Sequence, residues 1–229
     1  MKLLDALLPP RCPLCAARAG HGFCDDCRPL LPWILAACEM CGTPLPEITE
    51  AADAGVCGNC QASRPYYDHA VIPFKYGAPV SGHIQALKYH RQLRYATALA
   101  AMICARAWKD PRPPPQALIP VPLHRRRLRQ RGFNQSLEIA RRVGAELGIE
   151  VRHSLLERVR HTAPQTALSR TERRRNVRGA FRAAAAVPAH VALVDDVVTS
   201  GSTANAAARE LKRAGVRTVS IWAAARTAD

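Results

Sequence analysis

From residue 66 onward, the apolar positions switch repeatedly between a strand pattern and a helical one. Ala70-Val71-Ile72-Pro73-Phe74 is a short apolar run of strand type, and Pro73 restricts it to the edge of a sheet. Ile84 and Leu87, then residues 93–103, follow a helical spacing, and Leu118-Ile119-Pro120-Val121 predicts a second strand. Asn134 is placed to cap a helix in which Leu137, Ala140, Val143 and Leu147 recur on one face, and Gly148 is placed to end it. A third short strand is expected within residues 151–156, followed by a long polar, Arg-rich stretch. Val191-Ala192-Leu193-Val194 is a continuous apolar run of the kind buried on both faces. A helix from about Thr203 to Ala214, stopped by Gly215, leads to a last strand at Thr218-Val219-Ser220-Ile221-Trp222. Strands alternating with helices predict an α/β domain over residues 66–229, built on a mostly parallel sheet covered on both sides.

Residues 1–65 show few periodic apolar runs and much Gly and Pro, but they contain eight of the nine cysteines in four Cys-x-x-Cys pairs. These are Cys12/Cys15, Cys24/Cys27, Cys38/Cys41 and Cys57/Cys60. A two-residue gap lets two thiolates from one tight turn face a single tetrahedral ion, and four thiolates close a structural zinc site. Four such knuckles make two sites, and metal must then supply most of the folding free energy of this small cysteine-rich domain. The knuckles can be matched in three ways. Sequential pairing has the shortest loops and assigns Cys12, Cys15, Cys24 and Cys27 to one ion and Cys38, Cys41, Cys57 and Cys60 to the other. A disulfide framework does not suit a reducing compartment, and a redox motif needs only one pair. His21 reads as a loop residue rather than a ligand, and Cys104, within an Ala-rich helical pattern, as an inert core thiol.

Charge separates the two parts further. Residues 1–65 carry five basic and seven acidic groups, and residues 66–229 carry 28 and 11. The excess falls in two arginine clusters, at residues 125–142 and 152–182, which favour a phosphate-rich partner. The longest apolar stretches, such as residues 30–38 and 98–105, fall short of the roughly 18 residues of a membrane span. The first ten residues carry Asp5 inside their apolar run and end in Pro9-Pro10, unlike a signal peptide. A cytoplasmic location is expected.

The chemistry concentrates in residues 191–203, Val-Ala-Leu-Val-Asp-Asp-Val-Val-Thr-Ser-Gly-Ser-Thr. A buried strand ending in two carboxylates is followed by a turn of small hydroxyl residues that opens a helix. Backbone N–H groups and hydroxyls of Thr199, Ser200, Gly201, Ser202 and Thr203 can surround a phosphate there, where the helix dipole also favours an anion. Asp195 and Asp196 lie within reach of the vicinal hydroxyls of a sugar, or of a hydrated Mg²⁺ bridged to them. The combination suits a ribose 5-phosphate. The plain alternative is a strand with polar ends and a capped helix. No Gly-Lys-Ser/Thr follows, so the turn is not a Walker loop.

This segment resembles the phosphoribosyl pyrophosphate (PRPP) signature of type I phosphoribosyltransferases at all thirteen positions. Further blocks extend the likeness: Pro120-Val121-Pro122-Leu123-His124, Arg126-Arg127 and Arg131-Gly132-Phe133-Asn134-Gln135, then Arg160-His161-Thr162-Ala163-Pro164-Gln165 with Leu168, Arg173, Arg175, Asn176, Val177 and Phe181. Together with the four knuckles, in this order, they are similar to the ComF/GntX family over nearly the whole chain. The resemblance implies a type I phosphoribosyltransferase-like sheet with a double zinc-ribbon head, in proteins linked to competence, the uptake of transforming DNA. It places a pyrophosphate loop after the second strand, where Arg126, Arg127 and Arg131 could hold pyrophosphate. A closing loop follows around Gln165 and Arg173, with Ser169 and Glu172 as a capping box. Purine-salvage members carry an Asp general base where Thr199 stands, so the turn is nearer the orotate type. No amidotransferase nucleophile precedes the fold, and a shared fold does not establish a reaction.

Two functions follow. One is Mg²⁺-dependent phosphoribosyl transfer from PRPP to an unknown acceptor, with Asp195 and Asp196 at its centre. The other is a non-catalytic protein of DNA import that binds single-stranded DNA through its arginines and keeps the phosphoribosyl site as a sensor or relic. The slightly acidic head suits docking to a DNA-uptake protein. Lys88, in Leu87-Lys88-Tyr89, could face the site, although a surface position is the default for a lysine.

Overall fold

Two nine-residue strands carry the centre of the molecule. The computed structural model describes residues 11–20, 22–46, 55–161, 172 and 175–227. In it β6 (His190–Val198) and β7 (Thr218–Arg226) pair in parallel, with Ala192 beside Ser220 and Val198 beside Arg226. β1 (His69–Val71) and β2 (Phe74–Lys75) pair in turn with the far side of β7, and β3 (Ala117–Pro120) with the far side of β6. Every pairing in this five-stranded sheet is parallel, in the order β1-β7-β6-β3. The apolar run at 191–194 therefore sits in the middle, where both faces need cover.

Side-chain alternation divides that cover in two. Ala192, Val194, Trp222 and Ala224 face a cluster completed by α2 (Val80–His90), α3 (Arg94–Ala107) and α5 (Gln135–Leu147). Val191, Leu193, Ile221 and Ala223 face the other cluster, which includes Ala204, Ala207, Ala208 and Leu211 of α6 (Ser202–Arg213). The Asn134 side chain accepts a hydrogen bond from the Ser136 N–H at the start of α5, and Gly148 ends the helix in the left-handed region at φ 69°.

The cysteine-rich segment wraps the edge of the sheet. Cys12, Phe23, Cys27 and Leu31 belong to the first cluster, and Ile34, Cys38, Met40, Cys41 and Cys60 to the second. The Ile34 N–H donates to the Pro73 carbonyl and the Lys75 N–H to the Pro32 carbonyl. The β1–β2 edge that Pro73 marked is thereby covered. A short helix, α1 (Gly58–Ala62), carries Cys60.

Three sequence expectations change. Val151 forms only an isolated parallel bridge to Leu118; the chain then passes through a 3₁₀ turn (His153–Leu155) into β4 (Leu156–Arg158). β4 pairs antiparallel with β5 (Phe181–Ala183), which the polar reading of residues 157–190 missed because a three-residue strand has too few apolar positions to show a period. Next, β6 continues through Asp195 and Asp196 to Val198 instead of ending at them, since Ala223 and Ala225 of β7 still offer pairing partners. Finally, the arginine run after β3 is helical: α4 (Arg125–Arg131) begins where the His124 imidazole accepts from the Arg126 N–H and ends at Gly132, φ 84°. Among the described residues, no helix is long and apolar enough to cross a membrane.

Candidate functional site

The C-terminal ends of β3 and β6, the start of α5 and the turn into α6 enclose a cavity of about 650 Å³. This is the crevice beyond the strand ends where open parallel sheets collect ligands. Asp195 and Asp196 form its floor. Asp195 Oδ1 accepts from Ser136 Oγ and from the Asp196 N–H, each at 2.9 Å. Asp196 Oδ1 accepts from Gln135 Nε2 at 3.3 Å, and Asp196 Oδ2 pairs with the Lys88 ammonium from α2. Gln135 in turn accepts from Arg131 at 2.5 Å.

These contacts give the two acids different characters. Burial opposes the charge of Asp196, but the adjoining Lys88 ammonium prevails and holds its carboxyl below the usual range. Burial likewise opposes the charge on Lys88, and Asp196 outweighs it, holding the ammonium above the ordinary lysine range. Among the described residues Asp195 has no such adjoining cation, and burial together with the Asp196 charge pushes it up to about 7. Among the described residues, a divalent ion beside Asp196 would meet the Lys88 charge, and Asp195 Oδ1 and Asp196 Oδ1 already accept from three donors.

The turn presents two sides. Thr199, Gly201 and Thr203 line the acid cavity, whereas Ser200 and Ser202 share with Gly201 a smaller pocket of about 280 Å³ on the opposite side. Gly201 has φ 70°, a conformation that strains any side chain, and a Cβ there would also press on Tyr67 Oη at 3.0 Å. Ser200 Oγ and Ser202 Oγ are 2.9 Å apart, which fixes the turn internally.

Arginines from two elements line the same cavity as the turn. Arg127 and Arg131 come from α4 and Arg158 from β4. Burial and the nearby Arg127 charge both lower the affinity of Arg131 and Arg158 for their protons, the mark of crowded cations. Arg126 points elsewhere, into an adjoining opening of about 510 Å³ that it shares with Arg91 and His161. Gln165, Arg173, His21 and the Ser169 end of the capping box lie outside the described residues.

Ser136 and Arg158 are not singled out by sequence; Gln135 enters only within the Arg131–Gln135 block, and Lys88 only as a lysine that could face the site. Gln135 and Ser136 carried one usable signal, their place in the first turn of a helix whose cap follows a strand end. Lys88 carried none, because its neighbour Leu87 is the core residue of that helix turn.

In the head, sequential pairing holds. The four sulfurs of Cys12, Cys15, Cys24 and Cys27, and those of Cys38, Cys41, Cys57 and Cys60, lie within 4.8 Å of one another. Cys15 and Cys24 sulfurs are 3.5 Å apart and those of Cys41 and Cys57 3.6 Å. Ligands about 2.3 Å from a tetrahedral zinc stand roughly 3.8 Å apart, so both sets fit the ion. Cys104 is apart from them, buried, and burial pushes its thiol up to about 12.

The molecule is thus a mixed α/β protein with a double four-cysteine head and a carboxylate pair at the mouth of a parallel sheet. The double zinc ribbon domain family matches residues 3–66. Competence protein F of Haemophilus influenzae is 33% identical over 217 residues, 91% of this chain and 92% of that protein. The DNA utilization protein YhgH of Salmonella typhi is 34% identical over 230 residues, 96% and 98% of the two chains, and that of Escherichia coli K12 is 32% identical over 228. The chain belongs to the ComF family, with these proteins.

Proposed function

We propose that the cavity binds PRPP and that the protein serves DNA uptake, as the names of its relatives, competence protein F and DNA utilization protein, suggest. The observation that carries the ligand assignment is the lining of one cavity, which brings together the Asp195 and Asp196 carboxylates, Thr199, Gly201 and Thr203 of the turn, and the guanidinium groups of Arg127, Arg131 and Arg158. Asp195 and Asp196 suit two vicinal ribose hydroxyls. The turn at 199–203 suits the 5-phosphate, and Arg127, Arg131 and Arg158 suit the pyrophosphate. Phosphoribosyl transfer would break the bond from ribose C1 to pyrophosphate, whose electron pair leaves with the pyrophosphate, while an acceptor nucleophile forms the new bond. The arginines would stabilise the departing charge. Mg²⁺ enters this reading only as the counter-ion that PRPP brings.

Titration calorimetry of the whole protein with PRPP and Mg²⁺ tests it. Saturable binding is expected, weakened at least tenfold in Asp195→Asn/Asp196→Asn with the far-UV spectrum intact. Absence of heat from the unaltered protein would overturn the assignment.

A second reading is favoured by the adjoining opening. Arg91, Arg126, Arg127 and Arg131 surround Tyr89, which is 63% exposed, with the Arg131 guanidinium 5.5 Å from its ring centre. Cations around an exposed ring suit single-stranded DNA. A labelled oligonucleotide should bind with an affinity that falls with salt, and Arg126→Gln should reduce the salt slope by about 1. An affinity indifferent to both would exclude this reading.

A further inference from the structure

The second four-cysteine site is wired to the phosphate turn. Arg226, the last residue of β7, is 2% exposed, and its register partner is Val198, the residue that enters the turn. Its Nη1 donates to the Val198 carbonyl at 3.3 Å. Its Nε and Nη2 both donate to Thr43 Oγ1, at 3.1 and 2.8 Å. Thr43 Oγ1 lies 3.1 Å from the sulfur of Cys41, one of the four cysteines of that site.

Counting protons gives this chain a direction. A hydroxyl has one proton and two lone pairs, and Arg226 takes both lone pairs. If Cys41 were a thiol donating to Thr43, three donors would compete for two acceptor positions, and the threonine proton would have no use. If Cys41 is a thiolate, the threonine proton points at sulfur and the hydroxyl is fully used. Thiolate is the form in which cysteine binds zinc. A zinc held by four thiolates also carries two negative charges, and the buried Arg226 guanidinium is a compensating charge beside it.

A separate connection reaches the other end of the turn. The chain leaving Cys60 continues to Tyr66, whose N–H donates to Asn205 Oδ1 at 2.6 Å in the first turn of α6, and to Tyr67, whose hydroxyl lies 3.0 Å from where a Cβ on Gly201 would stand. The segments on both sides of the turn thus meet residues that lie close in sequence to cysteines of one metal site.

We propose that metal occupancy of the Cys38/Cys41/Cys57/Cys60 site sets the conformation of residues 199–203, with Thr43 and Arg226 as positioning residues. The consequence for ligand affinity rests on the PRPP reading; the coupling itself does not.

Three measurements on the full chain separate the two: zinc per molecule, amide hydrogen exchange of residues 199–203, and PRPP affinity. Thr43→Val should keep two zinc ions, speed exchange in the turn at least tenfold without changing it at residues 191–194, and weaken PRPP at least tenfold. Cys57→Ser, which opens the second site, should speed exchange in the turn, whereas Cys15→Ser, which opens the first, should not. Unchanged exchange in both Thr43→Val and Cys57→Ser overturns the coupling, as does an equal response to Cys15→Ser and Cys57→Ser. If exchange responds as expected but the unaltered protein binds no PRPP, the coupling stands and the ligand assignment falls. If PRPP binds Thr43→Val as tightly as the unaltered protein while exchange is unchanged, the reverse holds.

Discussion

Lys88 and Asp196 show how much a single side chain alters the site. Asp196 is 2% exposed, and its charge is tolerable only because an ammonium and an amide face it. Removing one member of such a pair strands the other in low dielectric. Lys88→Met should therefore destabilise the fold by about 3 kcal/mol in urea unfolding, and Lys88→Met/Asp196→Asn should recover most of it. Equal loss in both variants would mean that Lys88 acts through packing alone. The acid pair itself was legible, because two carboxylates interrupting an apolar strand have few structural uses. Its partner was not, since nothing near Leu87-Lys88-Tyr89 distinguishes a lysine facing a cavity from one facing water.

At the level of elements, α5 does two tasks. Its first turn delivers Gln135 and Ser136 to the acids, and its body presses on the sheet. Gly144 permits the close fit: a Cβ there would stand 2.5 Å from the Ile149 carbonyl oxygen and 2.8 Å from Val151 Cγ2. Gly144→Ala should cost about 1–3 kcal/mol of stability despite the better helix propensity of alanine, measured by denaturant unfolding. A neutral or stabilising result would show that the 149–151 segment yields. The cap, apolar stripe and terminal glycine of α5 could all be read from Asn134 to Gly148. By contrast, α4 offered no apolar stripe, because none of its residues is buried. It forms between a His124 cap and the Gly132 stop, and only its place beside the cavity gives Arg127 and Arg131 a different task from Arg126.

Across the whole molecule, head and body share their cores. Phe23 and Leu31 pack in the same cluster as Leu99 and Met102 of α3, and Ile34 and Met40 in the same cluster as Ile119 and Leu193. Zinc removal by a chelator should therefore lower the melting temperature of the sheet as well as unfold the ribbon. The near-ultraviolet signal of Trp222, buried in β7, reports the sheet, read against Trp33→Phe and Trp108→Phe controls. A Trp222 transition unmoved by chelation would show that the body folds by itself.

The chain's own order of residues determined the main strands and helices of the sheet domain, where the metal ligands lie and which strand bears the acids. These depend on short-range spacing: two residues between thiols, a helical period, a glycine after an apolar run. Tertiary structure alone decided that Lys88, Gln135, Ser136 and Arg158 meet around Asp195 and Asp196, that the second metal site reaches Val198 through Thr43 and Arg226, and that β4 finds β5. In each of these the partners are far apart in sequence, and no local period records a contact that exists only once a parallel sheet has brought its strand ends together.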